Sequence, residues 1–366
     1  MLPVRGGISV TTPMPIPLVR VRGDHRTVGR QIGEACADEI ARASDLSRHL
    51  SGDRTVYGQR ALAAEYRDVT ARAEPWLLDE LEGVAEGADV DPLDLFAASV
   101  EEIWSVSPSA PHSEVGSGRC SDLVATAPLT ADRHVVVGHT NDLGPQDEPD
   151  LIALWWDVDG EPSMFTIGIG PWISVGWNAA GLSLTGNELT PNDNKVGVPR
   201  LLQVRDMLRM RTLDEAVAAA LRPDRASSYS NVLAHRDGSV VCVEGSASDA
   251  ELLRAEDGTL AHTNHYVSDR MLGYEGDPEY AESSAVRYRR ARVLLDGLRD
   301  GGTPVTMESM RAAISDHEGE PSICRHEKPG SDVKTVFWCV ADVSEGHVAF
   351  GRGNPCDSVE QEMSLF

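Results

Sequence analysis

The sequence predicts an α+β protein made of stacked antiparallel sheets, and three observations carry that expectation. Strand-length apolar runs pair around short turn signals through the later two thirds of the chain, as "SDLVATAPL" and "HVVVGHTND" do about "TADR". Helical patterns come in blocks between these hairpins, not one per strand, which argues against a doubly wound parallel sheet. The 366 residues can bury a large core, and no fixed-period repeat divides them into a solenoid.

The elements follow in order. From Thr27 to Trp104 the periodicity is helical, through "TVGRQIGEACADEIARASDL", "ALAAEYRDVTARAEPWLLDELEGVAEGADV" and "DPLDLFAASVEEI", where Asp91 ahead of Pro92 is a helix start. Residues 105–119, "SVSPSAPHSEVGSGR", are rich in Ser, Pro and Gly and read as an exposed connector. After Cys120 hairpins follow hairpins. "LIALWWDV" pairs with "SMFTIGI" about "DGEP", and "WISVGWN" with "GLSLTGNEL" about Ala179 and Ala180. "VPRLLQVRDMLRMRTLDEAVAAAL" reads as two helices, and "SNVLAHRDGSVVCVEGS" and "GTLAHTNHYV" return to strand. A helical block runs from Ser284 to about Ser315, and "TVFWCVADVSEGHVAFG" closes the chain with a hairpin.

Composition excludes some functions. With 33 Lys and Arg against 58 Asp and Glu, the formal charge of −25 opposes binding to nucleic acid or an anionic membrane. The six cysteines, Cys36, Cys120, Cys242, Cys324, Cys339 and Cys356, form no CxxC pair, which suits a reduced compartment. Arg5, Arg20 and Arg22 lie near the N-terminus, but Pro13, Pro15 and Pro17 break its apolar residues, so no signal-peptide core is expected. No run approaches the roughly twenty apolar residues of a membrane span, and a cytoplasmic location is expected.

Four clusters could carry chemistry. Cys120 stands where the loose connector meets the first strand, with polar Ser121 and Asp122 after it, so its sulfur could be reached or could equally be a small core hydrophobe. "GHTNDL" returns along the partner strand and could bring Asp142 or His139 beside Cys120. "HTNH" offers His262, Asn264 and His265. The two histidines, three apart on a strand, would face opposite sides, so no metal is expected, whereas the amide of Asn264 can donate to a developing oxyanion. Asn187, in "LTGNEL", is a weaker candidate of the same kind. In "PSICRHEKPG", Arg325 could orient a carboxylate such as Asp142. The run Arg287, Arg289, Arg290 and Arg292 could form a local basic patch for a polyanion such as coenzyme A, but reads rather as a solvated helix face. No GxSxG elbow, GxxxxGKS loop or GxGxxG turn is present, which removes sequence support for a serine hydrolase, a nucleotidase or a dinucleotide enzyme.

Taken in order, "VRGDHRTVGRQIGE", "LEGVAEGADVDPLDL", "GRCS", "GHTNDL", "HTNH", "SICR" and "TVFWCVAD" resemble the isopenicillin N acyltransferase (acyl-coenzyme A:6-aminopenicillanic acid acyltransferase) family of N-terminal-nucleophile hydrolases. The resemblance covers most of the chain. It implies a four-layer αββα sandwich and a precursor that cuts itself at Arg119–Cys120. Residues 1–119 would form a helical α chain and residues 120–366 the β chain, sharing one core as a heterodimer able to assemble further. Carried over, Cys120 is the nucleophile, Asp142 and Arg325 are its polar neighbours, Asn264 is the oxyanion donor and Asn187 a second one. Arg119 stands where the family's best-known pattern has Gly, and Thr140–Asn141 where it has Asn-Trp. The implied activity is hydrolysis or transfer of the acyl group of a small amide, with a coenzyme A thioester as a lesser substrate option and no resident cofactor. Two rivals remain at this stage: an unprocessed cysteine hydrolase using His139, His262 or His265 as base, and a noncatalytic binding protein on the same scaffold.

Overall fold

Alternating apolar residues along the hairpin strands give each sheet one face to bury against the other, and that pairing organises the whole chain. The computed structural model describes residues 14–50, 54–105, 119–328 and 332–366. Pro13, Arg5 and nearly all of the expected 105–119 connector lie outside the described residues.

The early part contributes β1 (Leu18–Gly23) and six helices: α1 (His25–Ala35), α2 (Ala37–Ala43), α3 (Val56–Ala73), α4 (Pro75–Ala88), α5 (Pro92–Ser99) and α6 (Glu101–Ser105). Then come β2 (Arg119–Ala125), β3 (Val136–Leu143), β4 (Leu151–Val158), β5 (Met164–Ile169), β6 (Trp172–Asn178) and β7 (Leu182–Asn187). Helices α7 (Arg200–Leu208) and α8 (Leu213–Ala220) precede β8 (Ser230–His235), β9 (Val240–Gly245), β10 (Ala250–Leu253) and β11 (Thr259–His262). Helices α9 (Pro278–Asp300) and α10 (Met307–Ile314) lead to β12 (Lys334–Asp342), β13 (His347–Arg352) and β14 (Gln361–Ser364).

Eight strands form one sheet in the order β1-β4-β5-β6-β7-β8-β9-β10, and six form the other in the order β11-β2-β3-β12-β13-β14. Val124, Val137, Phe165, Ile167, Trp177, Val232 and Phe337 pack between the two sheets. Outside the larger sheet, Val28, Ile32, Val204 and Leu208 from α1 and α7 cover Val21, Leu154 and Leu184. Outside the smaller sheet, Ala291, Leu295, Met310 and Ile314 from α9 and α10 cover Leu123, Val136, Trp338 and Val340. The fold is therefore an α+β sandwich with layers α, β, β and α.

Two details depart from the sequence expectation. The early part is not only helical: β1 adds an edge to the larger sheet, and it pairs with β4 in parallel, so that sheet is not wholly antiparallel. The strand through "GTLAHTNHYV" stops at His262, so Thr263, Asn264 and His265 are not on it and the opposite-faces argument does not apply to them. Among the described residues no helix is long and apolar enough to cross a membrane.

The early helices are fastened by two devices. Helices α1 and α4 cross so closely that a Cβ at Gly29 would sit 2.0 Å from the Glu80 carbonyl oxygen, and one at Gly83 would sit 2.3 Å from that of Arg26. Only glycine permits that approach. At the same crossing the buried Glu80 carboxylate accepts from Arg205 of α7 at 3.1 and 3.0 Å, and Arg205 also reaches Glu161 at 2.7 Å. Removing one partner of such a buried pair costs about 3–5 kcal/mol, so this network ties the early part to the later one.

Candidate active site

The site grows from the register of two strands. Strand β2 pairs antiparallel with β3 so that Arg119 faces Asp142, Cys120 faces Asn141 and Asp122 faces His139. Side chains alternate along a strand, so Ser121, Leu123 and Ala125 turn toward α9 and α10 while Cys120, Asp122 and Val124 turn toward the other sheet. Cys120 is 5% exposed, and with Asn141 it lines a cavity of about 620 Å³ between the layers.

Asn264 follows the last residue of β11 by two positions and is fixed by Ser284 of α9, whose hydroxyl accepts its N–H at 2.6 Å. Its Oδ1 accepts from the Cys120 backbone N–H at 2.8 Å and from Arg287 Nη2 at 2.9 Å, while its Nδ2 donates to the Glu188 carbonyl at 3.0 Å. The oxygen of this amide is thus turned to the Cys120 backbone, whereas the sequence expectation has the amide donating to an oxyanion.

Arg287 corrects a second expectation. It is fully buried, not on a solvated face, and its Nη1 donates to both the Cys120 carbonyl and the Ser121 hydroxyl. Its neighbour Arg290 pairs with Asp316 at 2.6 Å.

Asp142 is also fully buried. Its Oδ1 accepts from the Thr335 hydroxyl at 2.7 Å, Arg325 Nε lies 4.0 Å from Oδ2, and Oδ2 has no hydrogen-bond partner among the described residues. Burial pushes this carboxyl up to about 6, against the pull of Arg325 and Arg287. Burial also raises the Cys120 thiol well above its ordinary range, with Asp142 and Asp122 adding to the rise and Arg287 opposing it. In the unbroken chain, therefore, the sulfur is held as a thiol at neutral pH.

The sequence-predicted residues divide accordingly. Cys120, Asn264, Asp142 and Arg325 converge on the start of β2, and the Arg119 guanidinium stands 5.9 Å from the Tyr280 ring centroid. Asn187 ends β7, which packs against β2 from the other sheet. Its Oδ1 accepts from His262 Nδ1 at 3.0 Å, and its buried Nδ2 has no hydrogen-bond partner among the described residues.

The three histidines are engaged elsewhere. His139 meets Asp122 at 2.8 Å with both side chains fully buried, and His262 meets Glu244 at 2.9 Å. His265 meets Ser284 at 2.9 Å, and burial pulls its imidazole down to about 4. Among the described residues no hydrogen bond joins any of them to the Cys120 sulfur.

The sequence reading passed over Arg287 as a site residue, although a signal was present. Tyr280, Ser284, Arg287, Ala291 and Leu295 recur at steps of four, three, four and four along α9 and form its buried stripe. An arginine inside such a stripe has to find partners within the fold.

The cavity wall combines both parts of the chain. Ala98, Glu101 and Trp104 come from the early helices, and Glu188, Arg200 and Tyr229 from the later part. Arg200 is held by Glu101 and Glu188, each at 2.7 Å, and stacks 4.7 Å from the Tyr229 ring centroid. Arg42, another cation of the wall, pairs with Asp150.

Among solved structures, the chain is similar to an N-acylethanolamine-hydrolyzing acid amidase ortholog from Caenorhabditis elegans, with 16% identity over 62% of this chain and 93% of that one, TM-score 0.44. It is also similar to a variant of the conjugated bile acid hydrolase from Clostridium perfringens, with 10% identity, coverage of 67% and 92%, and TM-score 0.45. For penicillin V acylase from Agrobacterium tumefaciens the identity is 12%, the coverage 67% and 86%, and the TM-score 0.42. No curated protein matches the chain in sequence. A family model described as acyl-coenzyme A:6-aminopenicillanic acid acyl-transferase matches residues 130–357, a span that begins after Cys120 and covers more than half of the 366 residues. The chain belongs to the acyl-coenzyme A:6-aminopenicillanic acid acyl-transferase family.

Proposed function

We propose that this chain is a self-processing cysteine enzyme that hydrolyses or transfers the acyl group of a small amide through a thioester on Cys120. One observation carries the reading. The backbone of Cys120 is gripped on both sides, its N–H by Asn264 at 2.8 Å and its carbonyl by the buried Arg287, while the residue lines the cavity. Side chains brought from two other segments, and not a neighbouring strand, supply those two partners.

The chemistry follows from the protonation states. With its thiol held protonated, Cys120 needs a base, and cleavage supplies one. The sulfur attacks the Arg119 carbonyl carbon, the peptide C–N bond breaks, and the nitrogen of Cys120 takes the thiol proton, leaving a thioester. Water then resolves that thioester to the Arg119 carboxylate and a free thiol. The products are residues 1–119 and residues 120–366.

In later turnovers the new α-amine, whose ordinary pKa is about 7.7–8.0, accepts the thiol proton and passes it to the leaving amine. Asn264 Oδ1, which accepts from the Cys120 nitrogen, orients the α-amine. Arg287 and the Asp142–Arg325 pair hold the strand end in place, and Asn187 Nδ2 supplies a donor for the oxyanion. The cations of the cavity wall, Arg42 and Arg200, are matched by Asp150, Glu101 and Glu188, which favours a small amide over the polyanionic coenzyme A thioester.

Reading the N-termini of freshly purified protein tests this. The expected result is a second N-terminus at Cys120, a single uncut chain for Cys120→Ala, and loss of one fast-reacting thiol to iodoacetamide in that variant. Two fragments from Cys120→Ala, or a full-length active wild type, would refute self-processing and revive a histidine base.

A further inference from the structure

A second group of reactive side chains lies outside the cavity. The segment after α10 supplies His317, Cys324 and His326, and the turn after β13 supplies Cys356. Their four ligand atoms all fall within 4.8 Å of one another. Cys324 Sγ is 3.7 Å from Cys356 Sγ, and His317 Nε2 is 3.1 Å from His326 Nε2. His326 Nε2 stands 3.3 Å from the sulfur of Cys356 and 3.9 Å from that of Cys324.

Four of the six edges have the dimensions of a coordination tetrahedron, and the other two, from His317 to the two sulfurs, are within 4.8 Å. Zinc bonds of about 2.3 Å to sulfur and about 2.0 Å to nitrogen require edges of about 3.8 Å between sulfurs, about 3.3 Å between nitrogens and about 3.5 Å between the two kinds. The observed values agree to within a few tenths of an ångström. A disulfide requires about 2.05 Å between sulfurs, far shorter than the 3.7 Å found.

We propose that His317, Cys324, His326 and Cys356 bind one zinc ion in a closed structural site. Two thiolates and two imidazoles in tetrahedral array suit zinc, and four protein ligands leave no position for a reacting water. Binding displaces the two thiol protons to solvent. The surroundings support the cluster: Asn354 Nδ2 donates to Cys324 Sγ at 3.3 Å and to the Arg325 carbonyl at 2.8 Å, orienting a ligand and the backbone beside it together.

Arg325 lies between two of these ligands in sequence. Its N–H donates to the Thr335 hydroxyl at 2.9 Å, and Thr335 donates to Asp142 at 2.7 Å. The ion therefore staples the segment that presents Arg325 to Asp142. The sequence expectation of no metal was weighed on "HTNH" alone. The spacing 317, 324, 326 and 356 resembles no finger because the ligands come from separated turns.

The test uses the full-length, tag-free chain purified in reductant without chelator. Plasma mass spectrometry should find one zinc per chain, in wild type and in Cys120→Ala alike. Cobalt reconstitution should give the intense visible bands of a tetrahedral site and a thiolate-to-metal charge-transfer band. Cys356→Ser and His317→Ala, both at exposed positions, should retain near-ultraviolet dichroism and weaken zinc binding more than about tenfold. A reduced wild-type chain that retains neither metal through gel filtration would overturn the proposal, as would unchanged zinc in both variants. Metal content is read without reference to activity, so the outcome stands apart from the fate of the Cys120 mechanism.

Discussion

Substituting Arg287 tests how the site is held together. Its guanidinium spans three partners, the Cys120 carbonyl, Ser121 Oγ at 3.0 Å and Asn264 Oδ1 at 2.9 Å. Arg287→Lys keeps the charge but offers one ammonium in place of a planar fork, so it cannot serve Nη1 and Nη2 partners together. Hydrogen bonds to charged groups contribute about 1.5–3 kcal/mol each. Losing the one to Asn264 releases the amide that holds the Cys120 nitrogen, and expressed in the transition state that loss slows self-cleavage about 10- to 150-fold. The assay is the time course of fragment appearance by intact mass, with thermal unfolding in parallel to show that the variant is folded. Arg287→Met removes the charge as well. It should slow cleavage further and move the pH dependence upward, because Arg287 is one of the cations pulling the Asp142 carboxyl down toward about 6. A folded Arg287→Lys that processes at the wild-type rate would refute the assigned geometry.

Two further outcomes are expected. The Asp142 carboxyl is raised from 3.8 to about 6 in the folded chain, so its contribution to stability is fully present below the lower value and is lost as pH rises through the upper one. Asp142→Asn should flatten the change of melting temperature across that interval, and an unaltered slope in thermal scans would contradict it. Gly83→Ala drives a Cβ to 2.3 Å from the Arg26 carbonyl oxygen at the α1–α4 crossing, and denaturant titration should show a loss of about 1–3 kcal/mol. Wild-type stability in that variant would mean that the helices do not meet as described.

The paired strands were legible because their apolar alternation and turn residues are local signals, but β2 stops at Ala125 and residues 126–135 intervene before β3, so the register that sets Cys120 opposite Asn141 comes from the fold. Strand β1 was not legible for the opposite reason. "LVRVRG" alternates like a strand, but its partner β4 lies far along the chain, and only the tertiary fold supplies it. Strands β10 and β14 are short pieces, AELL and QEMS, without an apolar face to announce them. In the site, Cys120, Asp142 and Arg325 were named by type and position, yet which atom of Asn264 meets Cys120 depends on Ser284, Arg287 and Glu188, drawn from two other segments. Arg287 and Arg290 are the same residue type three positions apart on α9. One is sealed against β2 and the other salt-bridged to Asp316, and composition cannot separate them.

On the proposed reading, the cavity builds part of its recognition surface from a stretch of polypeptide that does not carry its sulfur. A molecule filling it touches Ala98, Glu101 and Trp104 on one side of residue 120 and Trp172, Leu184 and Tyr229 on the other. Selectivity for what enters can therefore drift through changes in the early helices while the strand bearing Cys120 stays untouched. On the proposed reading, chimaeras that exchange the chain through α6 would be expected to shift preference toward the donor of that part while Cys120 keeps its reactivity.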